Sequence, residues 1–155
     1  MIELKIKPNH ANFKTPIKGS KYAACYDVYA AEIHTDVDKQ GQQHVIVNLG
    51  FQTEFSPEYV AKIDPRSNMS SKNWVITNAP ANIDADYRGD WILKFTPIPF
   101  IDYSGRVRYP DFPYKVGDRV AQFYMQKVSE INFDFVTLLS DTERGEGGFG
   151  HTGIK

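Results

Sequence analysis

Trp91-Ile92-Leu93-Lys94-Phe95-Thr96 is the stretch on which the fold turns. Trp91, Leu93 and Phe95 alternate with Ile92, Lys94 and Thr96, the period of a strand with one face in a core. The same period recurs near both ends of the chain. Ile2, Leu4 and Ile6 alternate with Glu3, Lys5 and Lys7, and Ala121, Phe123 and Met125 alternate with Gln122, Tyr124 and Gln126. Further β-rich runs lie at 26–29, 45–49, 59–63, 74–77 and 131–136. Turn residues separate the runs: Pro8-Asn9, Lys39-Gln40-Gly41, Ser56-Pro57, Arg88-Gly89-Asp90 and Val116-Gly117-Asp118. No segment carries a sustained helical stripe, and the best short helix is 67–73. Many short strands at such intervals predict an all-β sandwich or barrel.

The bulk properties bound the answer. The chain has 155 residues, 41% of them apolar and 14% aromatic, which supports one domain with a real core. Its net charge is −1, from 18 basic and 19 acidic residues, so no global positive field draws it to a DNA or RNA duplex. The single Cys25 cannot form an intramolecular disulfide and fits a reducing compartment. The alternating start is not a signal peptide, and no apolar run approaches the ~20 residues of a membrane helix. A soluble cytoplasmic protein with no membrane contact is the expectation. Residues 97–115 hold four of the nine prolines and read as a long ordered surface excursion.

Five stretches could carry chemistry. Ile83-Asp84-Ala85-Asp86-Tyr87-Arg88-Gly89-Asp90-Trp91 lies between two strand patterns and reads as a β-hairpin. Asp and Gly are ordinary turn residues, but acids at one tip also offer a base to an attacking water. Asp64-Pro65-Arg66-Ser67-Asn68 places Arg66 and Ser67 at the entry to the short helix, as a capped start or an anion site. Gly117-Asp118-Arg119-Val120-Ala121-Gln122 opens a strand, with Gln122 on the face opposite Ala121 and Phe123. Asp27 stands in an apolar strand, as a satisfied core acid or near a metal's water shell. The tail Arg144-Gly145-Glu146-Gly147-Gly148-Phe149-Gly150-His151-Thr152-Gly153 holds five of eleven glycines. It packs no core, yet glycine amides cradle anions, arginine forks onto phosphate and a ring stacks on a base. It reads as a disordered end or as a flap over a nucleotide. The histidines show no metal spacing, and zinc is not expected.

In their order, 24–31, 65–72, 78–89, 117–122 and 144–153 resemble the five signatures of the homotrimeric dUTPase family. The resemblance implies a distorted jelly-roll, or β-clip barrel, over 1–140, with one short helix and a flexible glycine-rich flap at 141–155. It implies cleavage of dUTP to dUMP and pyrophosphate, with Mg²⁺ on the triphosphate. Asp84 matches the carboxylate that activates water for attack on the α-phosphorus. Asn78, Asn82 and Ile83 match the segment that reads uracil, Tyr87 the ring under the deoxyribose, and Phe149 the ring over the base. Arg66, Ser67, Asn68, Gln122, Arg144, Gly147, Gly148, Gly150 and Thr152 match the phosphate contacts. Asp27 matches an acid that reaches the metal through water. Three subunits would share each site. A dCTP deaminase shares the fold, and a dUTP-switched regulatory protein is a second alternative. The 97–115 excursion would be a partner-binding element or a decoration. Cys25, Asn68, Ala81 and His151 depart from the family pattern. Ala81 would be strained if the backbone there needed a positive φ.

Overall fold

The structure, a computed structural model, describes residues 1–148. Among them the regular structure is thirteen strands and one 3₁₀ helix, Ser67–Ser71. The larger sheet has the order β2 (Ile17–Lys18), β3 (Tyr26–Tyr29), β13 (Arg119–Lys127), β7 (Tyr59–Pro65), β9 (Ala81–Ile83). The second runs β4 (Glu32–Val37), β5 (Gln43–Asn48), β10 (Ile92–Pro97), β8 (Trp74–Ile76). β1 (Leu4–Pro8) pairs with β6 (Phe51–Phe55), and β11 (Phe100–Ile101) with β12 (Val107–Arg108). Every pairing is antiparallel, and most join strands that are not consecutive, β1 with β6, β3 with β13, β13 with β7, β7 with β9, and β10 with β5 and β8, as in a jelly roll.

The core forms where the inward positions of the sheets meet. Val28, Ile63, Ala121 and Phe123 come from the larger sheet, and Val47, Leu93 and Phe95 from the second. Trp91 joins the layers: its ring centroid lies 4.9 Å from that of Phe51 and 5.2 Å from that of Phe123. Its indole N–H donates to Thr53 Oγ1 at 3.1 Å, so a fully buried donor is satisfied. Burial of one such aromatic contributes roughly 2–3 kcal/mol.

Four expectations change. Residues 83–91 do not form a β-hairpin: β9 pairs with β7 and β10 with β5 and β8, so this turn crosses from one sheet to the other. Alternation identifies strands but not the sheet each joins. The helix at 67–73 is a shorter 3₁₀ turn, ended by Asn73 at φ 52°. Residues 131–136 are no strand; Ile131, Phe133 and Phe135 are exposed, because this part of the chain pairs with no neighbour. The 97–115 excursion is only half a surface feature. Its outward leg makes the exposed β11–β12 hairpin, while its return leg packs the half-buried Phe112 edge-on against Trp74 and Phe95 at 5.1 and 5.2 Å. No helix among the described residues is long and apolar enough to cross a membrane.

Candidate active site

The 84–91 turn is fixed from three sides. Arg88 donates to the carbonyls of Ala85 at 2.7 Å and Thr53 at 3.3 Å. Asp90 accepts from Asn48 at 2.9 Å, from Gln52 at 3.0 Å and from Asn9. Those amides, Asn48 first, hold the Asp90 carboxyl below the usual carboxylate range. Trp91 closes the turn as a core residue.

This bracing presents a cavity of about 530 Å³ lined by Asn78, Pro80, Ala81, Asn82, Ile83, Asp84, Tyr87, Asp90 and Ile92. Five residues singled out in the sequence, Asn78, Asn82, Ile83, Asp84 and Tyr87, therefore share one wall. Asp84 is exposed, and its carboxylate has no hydrogen bond or ion pair among the described residues. Tyr87 turns back on itself: its N–H donates to Asp84 O at 3.1 Å and its hydroxyl to Asp90 O at 3.2 Å. A Cβ on Gly89 would stand against that ring, 2.9 Å from Cε2 and closer still to Cζ and Oη. β9 is the last strand of its sheet, so one backbone edge of 81–83 has no strand neighbour. Asn78, which lines the same cavity, also has a structural part. Its amide donates to Ile92 O and accepts from Lys94 N, both at 2.9 Å, which ties the end of β8 to β10.

A second cavity, of about 560 Å³, shares only Pro80 with the first and is lined by Asp64, Arg66, Ser67, Met69, Trp74 and Ile98 among others. Arg66 sits in extended backbone just before the 3₁₀ turn, and its carbonyl accepts from Met69 N at 2.9 Å. Its Nε donates to Asp27 at 3.0 Å, and Arg119 donates to the other Asp27 oxygen at 2.9 Å. Gln122 faces Asp27 across β3 and Asp64 across β7, and its amide donates to Pro65 O at 3.1 Å. Asp27, Arg66 and Gln122 thus come together, with Ser67 and Asn68 on the adjoining turn. Gly117 (φ 89°) makes the turn that starts β13, its N–H donating to Ala30 O at 2.8 Å.

Sequence reasoning missed Arg119. Strict alternation puts it with Ala121 and Phe123, facing the core. A β-bulge at Val120 supplies one extra residue, because Arg119 is opposite Tyr29 while Ala121 is opposite Val28. That residue switches the face and delivers Arg119 to Asp27. The Gly-Asp-Arg turn was the only available signal, since a bulge leaves no mark in the hydrophobic period.

Among the described residues, the departures from the family pattern raise no backbone strain. Ala81 lies in β9 opposite Ile63, Asn68 lies in the 3₁₀ turn, and neither has a positive φ. Cys25 is half-buried, and burial, followed by Asp64 and Asp27, pushes its thiol up, away from reactive thiolate. Arg144 donates to Gly147 O at 2.9 Å within its own tail, where Gly147 N donates back to Arg144 O. Gly148 follows. Phe149, Gly150, His151 and Thr152 lie outside the described residues.

The chain has known relatives. The dUTPase family model matches residues 11–153. The chain belongs to the dUTPase family. It is 37% identical to the deoxyuridine 5'-triphosphate nucleotidohydrolase of Zymomonas mobilis, over 99% of this chain and 97% of that protein. It is 36% identical to the enzyme of the same name from Yarrowia lipolytica, over 99% of this chain and 90% of that one. Its fold is similar to that of the Staphylococcus bacteriophage 80alpha dUTPase solved with dUpNHpp, with a TM-score of 0.76 and 24% identity over 98% and 99% of the two chains. The period predicted an all-β sandwich or barrel, and the jelly roll that the resemblance implied is the form it takes.

Among the described residues no three His, Cys, Asp or Glu side chains cluster as a metal cage. Asp27 already holds two guanidinium groups. With both oxygens engaged, Asp27 is no direct ligand, so Mg²⁺ would have to be carried in on phosphates and meet this carboxylate only through its own waters.

Proposed function

We propose that the protein hydrolyses dUTP to dUMP and pyrophosphate at sites shared between subunits of a homotrimer, with Asp84 as general base. One observation carries the reading: Asn82, Ile83, Asp84 and Tyr87 line a single cavity beside a free strand edge. Uracil pairs with the backbone of 81–83 as another strand would, and a narrow slot leaves no room for thymine's methyl group. The Tyr87 ring packs under the deoxyribose and excludes a 2′-hydroxyl. Asp84 takes a proton from water as the water oxygen bonds to the α-phosphorus. The bond from that phosphorus to the bridging oxygen breaks, and pyrophosphate leaves with the electron pair. Proton transfer of this kind contributes about 10²–10⁴-fold.

The phosphates need charge that this cavity lacks. Arg66, Ser67, Asn68 and Gln122 line or adjoin a different cavity, so they serve the site of a neighbouring subunit. Asp27 would reach Mg²⁺ on the triphosphate through water, and the ion would supply neutralisation of the phosphate charge there. The tail of a third subunit closes over the site, with Arg144, Gly147, Gly148, Gly150 and Thr152 on the phosphates and Phe149 on the base. Closure excludes water and strengthens each contact.

Asp84→Asn tests the base. Turnover of dUTP with Mg²⁺ should fall at least about 10²-fold while dUpNHpp still binds. Wild-type turnover in this variant would remove Asp84 from the role. Purified enzyme should release pyrophosphate from dUTP and not from dTTP, dCTP or UTP. Ammonia from dCTP would favour the deaminase.

A further inference from the structure

Three features outside the catalytic turn bear on the phosphate cavity. Asp27 is a buried carboxylate with side-chain exposure of 10%, and its two oxygens go to different arginines. The bulge at Val120 exists at the point where β13 must turn Arg119 out of the core. Arg66 Nη1 also lies 3.5 Å from the carbonyl of Arg119, so the two residues frame one carboxylate from two strands.

We propose that Arg119 is a positioning residue for phosphate binding, acting through Asp27 to keep the Arg66 guanidinium available to the triphosphate. The proposal rests on the dUTPase reading above. A carboxylate with two cationic partners gives one oxygen to each. Deprived of Arg119, the carboxylate turns both oxygens onto Arg66 and takes its fork edge, the geometry guanidinium and carboxylate prefer. A guanidinium held in that way has fewer donors left for phosphate. Arg119 thus divides the carboxylate, so that Arg66 gives Asp27 only its Nε; Nη1 donates to the Arg119 carbonyl, and Nη2 has no partner among the described residues. The cost of the bulge, a locally broken ladder, is offset by this placement.

The test uses the full chain and three readouts: affinity for dUpNHpp, affinity for deoxyuridine, which has no phosphate, and melting temperature. In Arg119→Gln, dUpNHpp should bind about ten-fold more weakly, the scale of one hydrogen bond to a charged group, with deoxyuridine within about three-fold of wild type. Arg119→Lys keeps the cation on Asp27 and should recover most of the loss. The double variant Asp27→Asn/Arg119→Gln should bind dUpNHpp no more weakly than Asp27→Asn alone. Unchanged dUpNHpp affinity in folded Arg119→Gln overturns the proposal, and so does equal weakening of both ligands, the mark of a merely structural role. Multiplying losses in the double variant would mean direct contact with phosphate, and would overturn it too. Arg119→Met, which keeps the apolar stem, replaces Arg119→Gln if that variant does not fold. Wild type that binds dUpNHpp but releases no pyrophosphate from dUTP defeats the parent reading alone, because these affinities do not depend on turnover.

Discussion

Gly89 carries no side chain because the Tyr87 ring occupies the space one would take. The ring is held at its far end by Asp90 O and at its near end by the turn from Asp84, so an added methyl must push it out of line. Gly89→Ala should therefore act on the sugar rather than on the fold. Selectivity for dUTP over UTP, measured as the ratio of kcat/KM, should fall about ten-fold or more, while the melting temperature changes by only a few degrees. An unchanged ratio would show that Tyr87 does not gauge the 2′ position. The same turn shows what single residues reveal in a sequence. The cavity positions of Asp84, Tyr87 and Arg66 are legible because each belongs to a short motif whose spacing survives folding intact. Arg119 is not, since its face depends on an extra residue in one strand and on the register of another. The structural bonds of Asn78 to Ile92 and Lys94 are not legible, because they depend on which strand becomes its neighbour.

At the level of elements, the strands were legible and their partners were not. Each strand announces itself by a period of two, but β9 and β10 follow one another and join different sheets. The excursion shows the same limit. Its prolines marked irregular backbone, yet nothing in the chain distinguished the exposed hairpin from the return leg that seals the core with Phe112. The hairpin tip is organised by one acid. Asp102 accepts from the amides of Ser104 at 2.9 Å and Arg106 at 3.0 Å, from the Ser104 hydroxyl at 2.6 Å and from Arg108 at 2.8 Å. The Ser104 hydroxyl first, then Arg108, lower its pKa from 3.8 to about 2. A depressed acid stabilises the folded form above its unfolded value and loses that contribution as pH falls through the folded one. The tip should hold above pH 4 and loosen between pH 4 and 2. Amide exchange at Ser104 and Arg106, corrected for intrinsic rate, should quicken over that interval. Flat protection down to pH 2 would contradict the assignment.

The whole chain leaves its C-terminal part outside its own core. From 128 to 146 every residue is exposed, and Ile131, Phe133, Phe135, Leu138 and Leu139 each leave 72–95% of their surface uncovered. Truncation after Asp141 removes the glycine-rich tail and none of the buried core, so the shortened protein should melt within a few degrees of the full chain while dUTP turnover drops at least about ten-fold. A large loss of melting temperature would make the tail structural. The beginning of the chain has the opposite standing. Asn9 reaches Asp90 across 81 residues, and Asn48 and Gln52 reach it across 42 and 38. Closing such wide loops is slow, because their entropy must be lost before the bonds form. The 84–91 turn therefore matures late in folding: during synthesis Asn9 waits for 81 further residues before its partner emerges, and a chain halted before Asp90 contains Asp84 with that brace missing.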